Sequence, residues 1–119
     1  MFIDPKLKIT NRHFNEKAMN EKFSIFLLWL LSKKERHGYE IIKIVKDSSP
    51  LASIAASRVY PLLAQLSKKG LISYKKELHG KRASKHYYLS SKGKLALQNI
   101  KKFIQSNKLV VNFMEDMLK

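Results

Sequence analysis

The chain has 119 residues, 45% of them hydrophobic, and a formal net charge of +15 from 24 Lys and Arg against 9 Asp and Glu. This length fits one domain with a modest core, and the hydrophobic fraction argues against wholesale disorder. The absence of cysteine excludes disulfides and thiolate metal sites, while so basic a chain favours a polyanionic partner, nucleic acid before an anionic membrane.

The first predicted helix runs from Thr10 or Asn11 to Ser32. It is apolar nearly all round from Phe23 to Leu31, which predicts burial on most sides with Trp29 inside the core. Its longest unbroken apolar run has seven residues, far short of the roughly 20 that a bilayer span needs. Because residues 1–20 also lack the apolar core of a signal peptide, we expect a cytoplasmic protein with no membrane partner.

Two shorter helices are predicted next. The polar loop SKKERHG leads into a helix over about Gly38–Asp47, whose isoleucines and Val45 form a broad inner face. A serine-containing loop over residues 47–53 then separates it from the third helix. Pro50 is a turn residue in this loop, and Ser53 or Ser57 is the candidate N-cap of the third helix.

The third helix carries a core stripe and a polar outer face. The stripe has the spacing i, i+3, i+4 and i+7 and consists of Val59, Leu62, Leu63 and Leu66. The opposite face, with its flank, consists of Ser57, Arg58, Pro61, Ala64, Gln65 and Lys68. Pro61 lies near the helix start, so with Ser57 as the cap only about one intrahelical hydrogen bond is lost. Gly70 stands where the helix ends and a left-handed residue is favoured.

After Gly70 the period of the pattern changes from 3.6 to 2, which predicts β-strands. LISYKKEL and SKHYYLS form two short strands around the loop HGKRA, in which Gly80 makes the turn. The tip of this hairpin is basic. Between residues 75 and 85 a single acid, Glu77, stands against Lys75, Lys76, Lys81, Arg82 and Lys85.

The last predicted element is one long helix from Ser91 to about Leu118, with Ser90 as its cap. Its seam advances by three or four residues at a time through Leu97, Ile100, Ile104, Asn107, Val111, Met114 and Leu118. The polar member, Asn107, has two interpretations. Either it fixes the register of a helix pair from within the seam, or it faces water where the stripe drifts.

Three helices followed by a basic hairpin have the layout of a winged helix-turn-helix, a mainly α fold of the α+β class. A helix whose core stripe faces inward can enter the major groove, and cations on a hairpin tip can reach adjacent phosphates. We predict an N-terminal helical extension (1–20), a DNA-binding winged helix-turn-helix domain (21–90) and a C-terminal helix (91–119).

Three segments resemble the signatures of the PadR-like transcriptional regulators: HGYEI at 37–41, VYPLLAQLSKKGLI at 59–72 and YYLSSKG at 87–93. The likeness covers roughly residues 23–115. It implies a homodimeric repressor whose third helix reads an inverted-repeat operator, whose final helix forms the dimer, and whose Tyr60 lies near phosphate. Ser57 and Arg58 stand where the family usually has Gly-Thr, so we expect altered DNA contacts there.

These arguments predict two groups of site residues and no cofactor. The predicted contacts to double-stranded DNA are Ser57, Arg58, Tyr60, Pro61, Gln65, Lys68, Lys75, Lys81, Arg82, Lys85 and His86. The predicted dimer interface is the seam Leu97, Ile100, Ile104, Asn107, Val111, Met114 and Leu118.

Aromatic residues and histidines outside these groups carry weaker interpretations. Trp29 is expected in the core, with contact to a small aromatic effector as the alternative, because some PadR-like relatives bind aromatic compounds at the dimer centre. His37 and Tyr39 are expected to cap and pack the second helix. The four histidines, at 13, 37, 79 and 86, form no i, i+4 pair, so no metal site is expected.

Three functions compete at this point. The leading one is a sequence-specific transcriptional regulator, most simply a repressor. A low-specificity architectural DNA-binding protein fits the same charge, and random competitor DNA would release it but not a regulator. A peripheral membrane or protein-interaction module is the third. No enzyme is expected, because no nucleophile with a base, no phosphate-binding glycine loop and no ligand cluster appears at a recognised spacing.

Overall fold

A computed structural model of the chain describes residues 8–48 and 56–119. The described residues form α1 (Lys8–Lys33), β1 (Arg36–His37), α2 (Gly38–Ser48), α3 (Val59–Lys68), β2 (Ile72–His79), β3 (Arg82–Leu89), α4 (Ser91–Ser106) and α5 (Lys108–Met117). The predicted α+β class is confirmed. No helix in these ranges is both long enough and apolar enough to cross a bilayer.

The three strands form one antiparallel sheet in the order β1-β3-β2. The predicted hairpin is therefore present, but the prediction that SKKERHG is wholly a loop is wrong. Arg36 and His37 within it pair with Tyr87 and His86 of β3. A strand of two residues is too short to show a period of 2, so only its partner strand reveals it.

The core lies between the helices and one face of the sheet. Its fully or nearly buried apolar residues are Leu27, Leu28, Leu30, Leu31, Ile41, Val45, Ala56, Val59, Leu62, Leu63, Leu66, Ile72, Tyr87, Leu89 and Leu97. The prediction that Trp29 lies inside this core is wrong, because 43% of its surface is exposed. Trp29 and Ile25 are four residues apart and share the outer face of α1, opposite the leucines that pack inward.

The helix starts differ from the sequence prediction in α1, which begins at Lys8 and not at Thr10 or Asn11, and in α3. Arg58, not Ser57, occupies the N-cap position of α3, and its side chain makes no capping hydrogen bond. The alternative cap Ser53 and the turn residue Pro50 lie outside the described residues. The predicted division of the chain at residues 20 and 90 stays a prediction; α1 continues through residue 20 without a break.

The predicted single C-terminal helix is instead two helices that meet at Asn107. This residue has an extended backbone (φ −97°, ψ 93°), and its Oδ1 accepts a hydrogen bond of 3.2 Å from the Val110 amide, which caps α5. The Asn107 side chain is exposed. Short polar side chains favour such caps over helix interiors, so an asparagine in an apolar seam here marks a helix boundary.

Candidate nucleic-acid interface

The orientation of α3 is determined by its buried stripe. Val59 and Leu63 have no exposed surface, and Leu62 and Leu66 are 3% exposed. Because these four residues hold one side of the helix against the core, the opposite side faces solvent. The exposed residues on that side are Ser57, Pro61, Ala64, Gln65 and Lys68. The prediction of an inward stripe and a solvent-exposed outer face is confirmed.

Pro61 is accommodated without loss of an intrahelical hydrogen bond. The first such bond of α3 runs from the Leu62 amide to the Arg58 carbonyl, at 3.1 Å. Pro61 is the third residue of the helix, and amides in the first turn have no partner within a helix. The sequence prediction of about one lost bond is therefore an overestimate, and the proline leaves a flat, rigid surface on the exposed side.

Arg58 is held at the start of α3 by the first helix. Its side chain is half-buried, and its Nη1 donates a hydrogen bond of 3.0 Å to Asn20 Oδ1. This contact links the proposed recognition helix to a residue of the predicted N-terminal extension. It also keeps the guanidinium beside α1, so Arg58 must break or share this bond to reach a base edge.

Tyr60 lies over the start of α2. A Cβ atom at Gly38 would come 2.7 Å from Tyr60 Cε1, so only glycine leaves room for the ring in this position. The ring nevertheless keeps 52% of the side chain exposed. The buried phenol of Tyr87 is close by, and its pKa is raised by burial and, to a lesser extent, by Tyr60 and Tyr74. The glycine of HGYEI and the tyrosine of VYPLL thus belong to one contact.

The carboxyl end of α3 is fixed to the start of α4. Gly70 has φ of 76°, and the Leu71 amide donates to the Leu66 carbonyl at 3.0 Å, which closes the helix with a Schellman motif. The carbonyl of Gly70 accepts a bond of 2.6 Å from Ser90 Oγ, and that of Lys69 accepts one of 2.9 Å from Lys92 Nζ.

The hairpin forms a wing beside α3, with a two-residue turn at Gly80 and Lys81. His79 pairs with Arg82 across this turn, and Lys76 pairs with Lys85 further down. Since cross-strand partners share a face, the cations are distributed over both faces and the tip. Lys85 Nζ lies 4.5 Å above the Tyr74 ring. Among the described residues, no carboxylate forms an ion pair with the wing side chains Lys75, Lys81, Arg82 or Lys85. His86, also a predicted DNA contact, lies near Glu35 and Glu77.

Three of the four histidines meet on one face of the wing sheet, which their spacing in the sequence does not reveal. His37 Nε2 lies 2.9 Å from Glu77 Oε2, and His79 Nε2 lies 3.6 Å from the same oxygen. His86 Nδ1 lies 3.4 Å from His37 Nε2. We call His37, Glu77, His79 and His86 the histidine cluster. The sheet register, with β1 as its third strand, creates it.

Within this cluster, the pKa of His37 is set by two carboxylates. The Glu40 and Glu77 carboxylates raise the pKa of the His37 imidazole through hydrogen bonds, against the opposing effect of burial. In turn, the hydrogen bonds with His37 lower the pKa of both carboxyl groups. His37 also has the expected local role, since its backbone amide donates to Glu40 at 3.1 Å and its ring stacks on Tyr39.

The predicted effector contact Trp29 and the predicted dimer seam are separate from the outer face of α3 and the wing. Trp29 lies near Phe26, with the ring centroids 5.9 Å apart and the ring planes tilted by 34°, and its contact with an aromatic effector stays a prediction. In the predicted dimer seam only Leu97 is buried, and Met114 and Leu118 are exposed. None of the residues of α5 is buried, so this helix has an apolar surface that the single chain leaves open.

The fold is a winged helix-turn-helix. Its parts are α2, α3 and the three-stranded sheet with its basic hairpin. The model of the transcriptional regulator PadR-like family matches residues 27–99. The chain therefore belongs to the PadR-like family of transcriptional regulators. This confirms the resemblance found in the three sequence segments.

Solved structures agree with this assignment. A PadR-like transcription factor from Bacteroides fragilis is 20% identical, with a TM-score of 0.69 over 86% of this chain and 98% of its own. A PadR family regulator from hypervirulent Clostridium difficile R20291 is 25% identical, with a TM-score of 0.62 over 82% and 98%. Bacillus subtilis PadR in complex with operator DNA is 29% identical, with a TM-score of 0.54 over 64% and 45%. No curated protein sequence matches the chain significantly.

Proposed function

We propose that this regulator binds double-stranded DNA sequence-specifically, as a homodimeric repressor on an inverted-repeat operator. The observation that carries the proposal is the free outer face of α3, whose opposite side is fully buried. A helix presented in this way fits the major groove, where each base pair displays a distinct pattern of donors and acceptors. The Bacillus subtilis relative in complex with operator DNA supports this use of the fold.

The residues on this face have different proposed roles. Arg58 and Gln65 are long polar side chains near the start and middle of α3 and are the candidates for base contacts. Tyr60 and Lys68 are the candidates for phosphate contacts beside them. Pro61 and Ala64 have short side chains, which let the helix approach the groove closely.

The wing supplies sequence-independent affinity. Lys76 and Lys85 are directly opposite each other, and a cross-strand pair of like charges destabilises a free hairpin. A phosphate between them removes this repulsion. With Lys75, Lys81 and Arg82 also free of acidic partners among the described residues, the wing has the charge that duplex DNA requires.

The dimer is proposed to form through α5 and the end of α4. The side chains of Leu109, Phe113 and Met117 are all more than half exposed, and Phe103 of α4 is 71% exposed. A second copy of the chain offers the same apolar surface, so a two-fold contact buries both at once. Two copies of α3 would then meet two half-sites related by the same axis.

Selection of random duplexes on the purified protein tests the whole proposal. We expect enrichment of an inverted repeat that survives excess random DNA. Enrichment of no motif, with full release by random DNA, would favour the architectural function that the charge of +15 also permits.

Arg58→Ala tests the base contact within the selected operator. We expect relaxed preference at one position of each half-site, with a loss of about 1–3 kcal/mol for the preferred base. Lys101→Ala, an exposed cation of α4, is the control and should leave the preference unchanged. An equal loss on every sequence would make Arg58 a phosphate contact.

A further inference from the structure

The histidine cluster lies on the solvent face of the sheet and extends from β1, across the middle of β3, to the end of β2 next to the wing turn. His37 of β1 pairs with His86 of β3, and Lys75 of β2 pairs with His86 from the other side. Residues two apart in a strand share a face, so Glu77 and His79 lie on the same side as both histidines. The ligand atoms of His37, Glu77 and His79 all lie within 4.8 Å of one another.

The separations between these atoms match those around a small metal ion. A tetrahedral ion with bonds of about 2.0–2.1 Å to nitrogen and oxygen requires neighbouring ligand atoms roughly 3.4 Å apart. The observed values are 2.9 Å for His37 to Glu77, 3.4 Å for His37 to His86, 3.6 Å for His79 to Glu77 and 3.8 Å for His86 Nδ1 to Glu77 Oε1. Each of these four separations lies within about 0.5 Å of the tetrahedral value.

Outer carboxylates orient two of the imidazoles towards this point. His37 Nδ1 lies 2.8 Å from Glu40 Oε1, and His86 Nε2 lies 3.1 Å from Glu35 Oε2. Each histidine therefore directs its other nitrogen at the centre of the cluster. Metal-binding histidines characteristically bond a carboxylate in this way, which sets the ring tautomer and increases the basicity of the ligating nitrogen.

In a neutral His37 that donates Nδ1–H to Glu40, Nε2 carries a lone pair and no proton. This lone pair faces the Glu77 carboxylate, which is also a hydrogen-bond acceptor. Such a contact at 2.9 Å needs a positive charge between the two atoms. A second proton on the imidazole supplies it, and so does a cation bound by both atoms. The second histidine 3.4 Å from the same nitrogen favours the cation, because two imidazoles and a carboxylate are then satisfied together.

We propose that His37, Glu77, His79 and His86 bind one divalent d-block cation, with Zn²⁺ as the best fit. The ligand set of imidazoles and one carboxylate, without thiolates, is typical of Zn²⁺ and of the neighbouring metals Co²⁺ and Ni²⁺. The bound ion would connect β1, β2 and β3 and, through His37, the start of α2. It would therefore fix the wing relative to the helices at the place where DNA is proposed to bind.

The test is titration of the untagged, metal-free full chain with Zn²⁺ by calorimetry, with Co²⁺ absorption as a second readout. We expect one ion per chain and the visible bands of a tetrahedral Co²⁺ complex. His79→Ala and Glu77→Gln should each weaken Zn²⁺ binding by about tenfold or more. Neither side chain belongs to the core, with His79 64% and Glu77 41% exposed, so neither change removes core packing.

Ser84→Ala is the matched control, because Ser84 pairs with Glu77 across the hairpin and offers no preferred ligand for Zn²⁺. It should bind Zn²⁺ as the unaltered chain does. The proposal is overturned if the unaltered chain takes up no stoichiometric ion, or if both His79→Ala and Glu77→Gln keep full affinity. Either result leaves the cluster as a hydrogen-bonded network of imidazoles and carboxylates. Because ion binding is measured without DNA, the outcome is independent of the proposed repressor function.

Discussion

Replacement of Gly93 by alanine should destabilise the fold, because the added Cβ atom has no space. Gly93 is the third residue of α4, and its new methyl group would overlap the backbone carbonyl oxygen of Leu71. This carbonyl cannot move freely. It accepts a hydrogen bond of 3.2 Å from the Ser90 amide, and the Leu71 amide is itself bonded to Leu66.

The magnitude is the sum of three contributions. Forcing extra volume into a packed contact costs about 1–3 kcal/mol, and loss of the bond from Ser90 to Leu71 costs about 0.5–1.5 kcal/mol. The better helix propensity of alanine returns up to about 1 kcal/mol. We therefore expect a net loss of about 2 kcal/mol. With a denaturant slope of roughly 2 kcal/mol per M urea, the unfolding midpoint should fall by about 1 M.

Gly38→Ala provides the matched comparison at equal protein concentration. Its new Cβ also meets a neighbour, at 2.7 Å, but the neighbour is the ring of Tyr60, which is half exposed and can rotate away. Urea unfolding should change by less than about 1 kcal/mol, while DNA affinity falls because Tyr60 is displaced. If Gly93→Ala unfolds at the same urea concentration as the unaltered chain, the close approach of α4 to Leu71 does not exist.

Three further changes test other parts of the molecule. Lys81→Ala with Arg82→Ala should reduce the slope of log affinity against log salt by about 1.8, the value for two phosphate contacts; an unaltered slope would remove the wing tip from the interface. Phe113→Asp, on the outer side of α5, should produce folded monomers in sedimentation velocity, and a persistent dimer would place the interface elsewhere. Asn107→Ala should cost α5 about 1 kcal/mol of capping free energy, visible as lower helicity by circular dichroism, and full helicity would show that the cap is dispensable.

The sequence predicted those elements whose pattern is long enough to have a period. The leucine stripe of α3, the left-handed Gly70 and the hairpin around Gly80 are all present, and both glycines have positive φ. These features depend on local rules: a helical repeat, an alternating strand and the steric freedom of glycine. The outer face of α3 followed directly, since it is the side opposite the stripe.

Features that depend on distant residues were missed. Burial of Trp29 was predicted from an apolar segment, but a pattern that is apolar on all sides does not say which side the rest of the protein covers. The strand at Arg36 and His37 exists because β3 pairs with it, and the histidine cluster exists because of that strand. His37 is separated from Glu77 and His86 by 40 and 49 positions, so no spacing rule could have joined it to them.

The bonds between the end of α3 and the start of α4 have a mechanical consequence. Ser90 and Lys92 donate to the carbonyls of Gly70 and Lys69, just beyond the end of α3, while Gly93 rests on Leu71. We therefore expect α3 and α4 to move together. In a symmetric pair of chains, a change of angle at Asn107 would rotate α3 and α4 of each chain together and alter the distance between the two copies of α3. The bend at a single asparagine would then select the number of base pairs between half-sites.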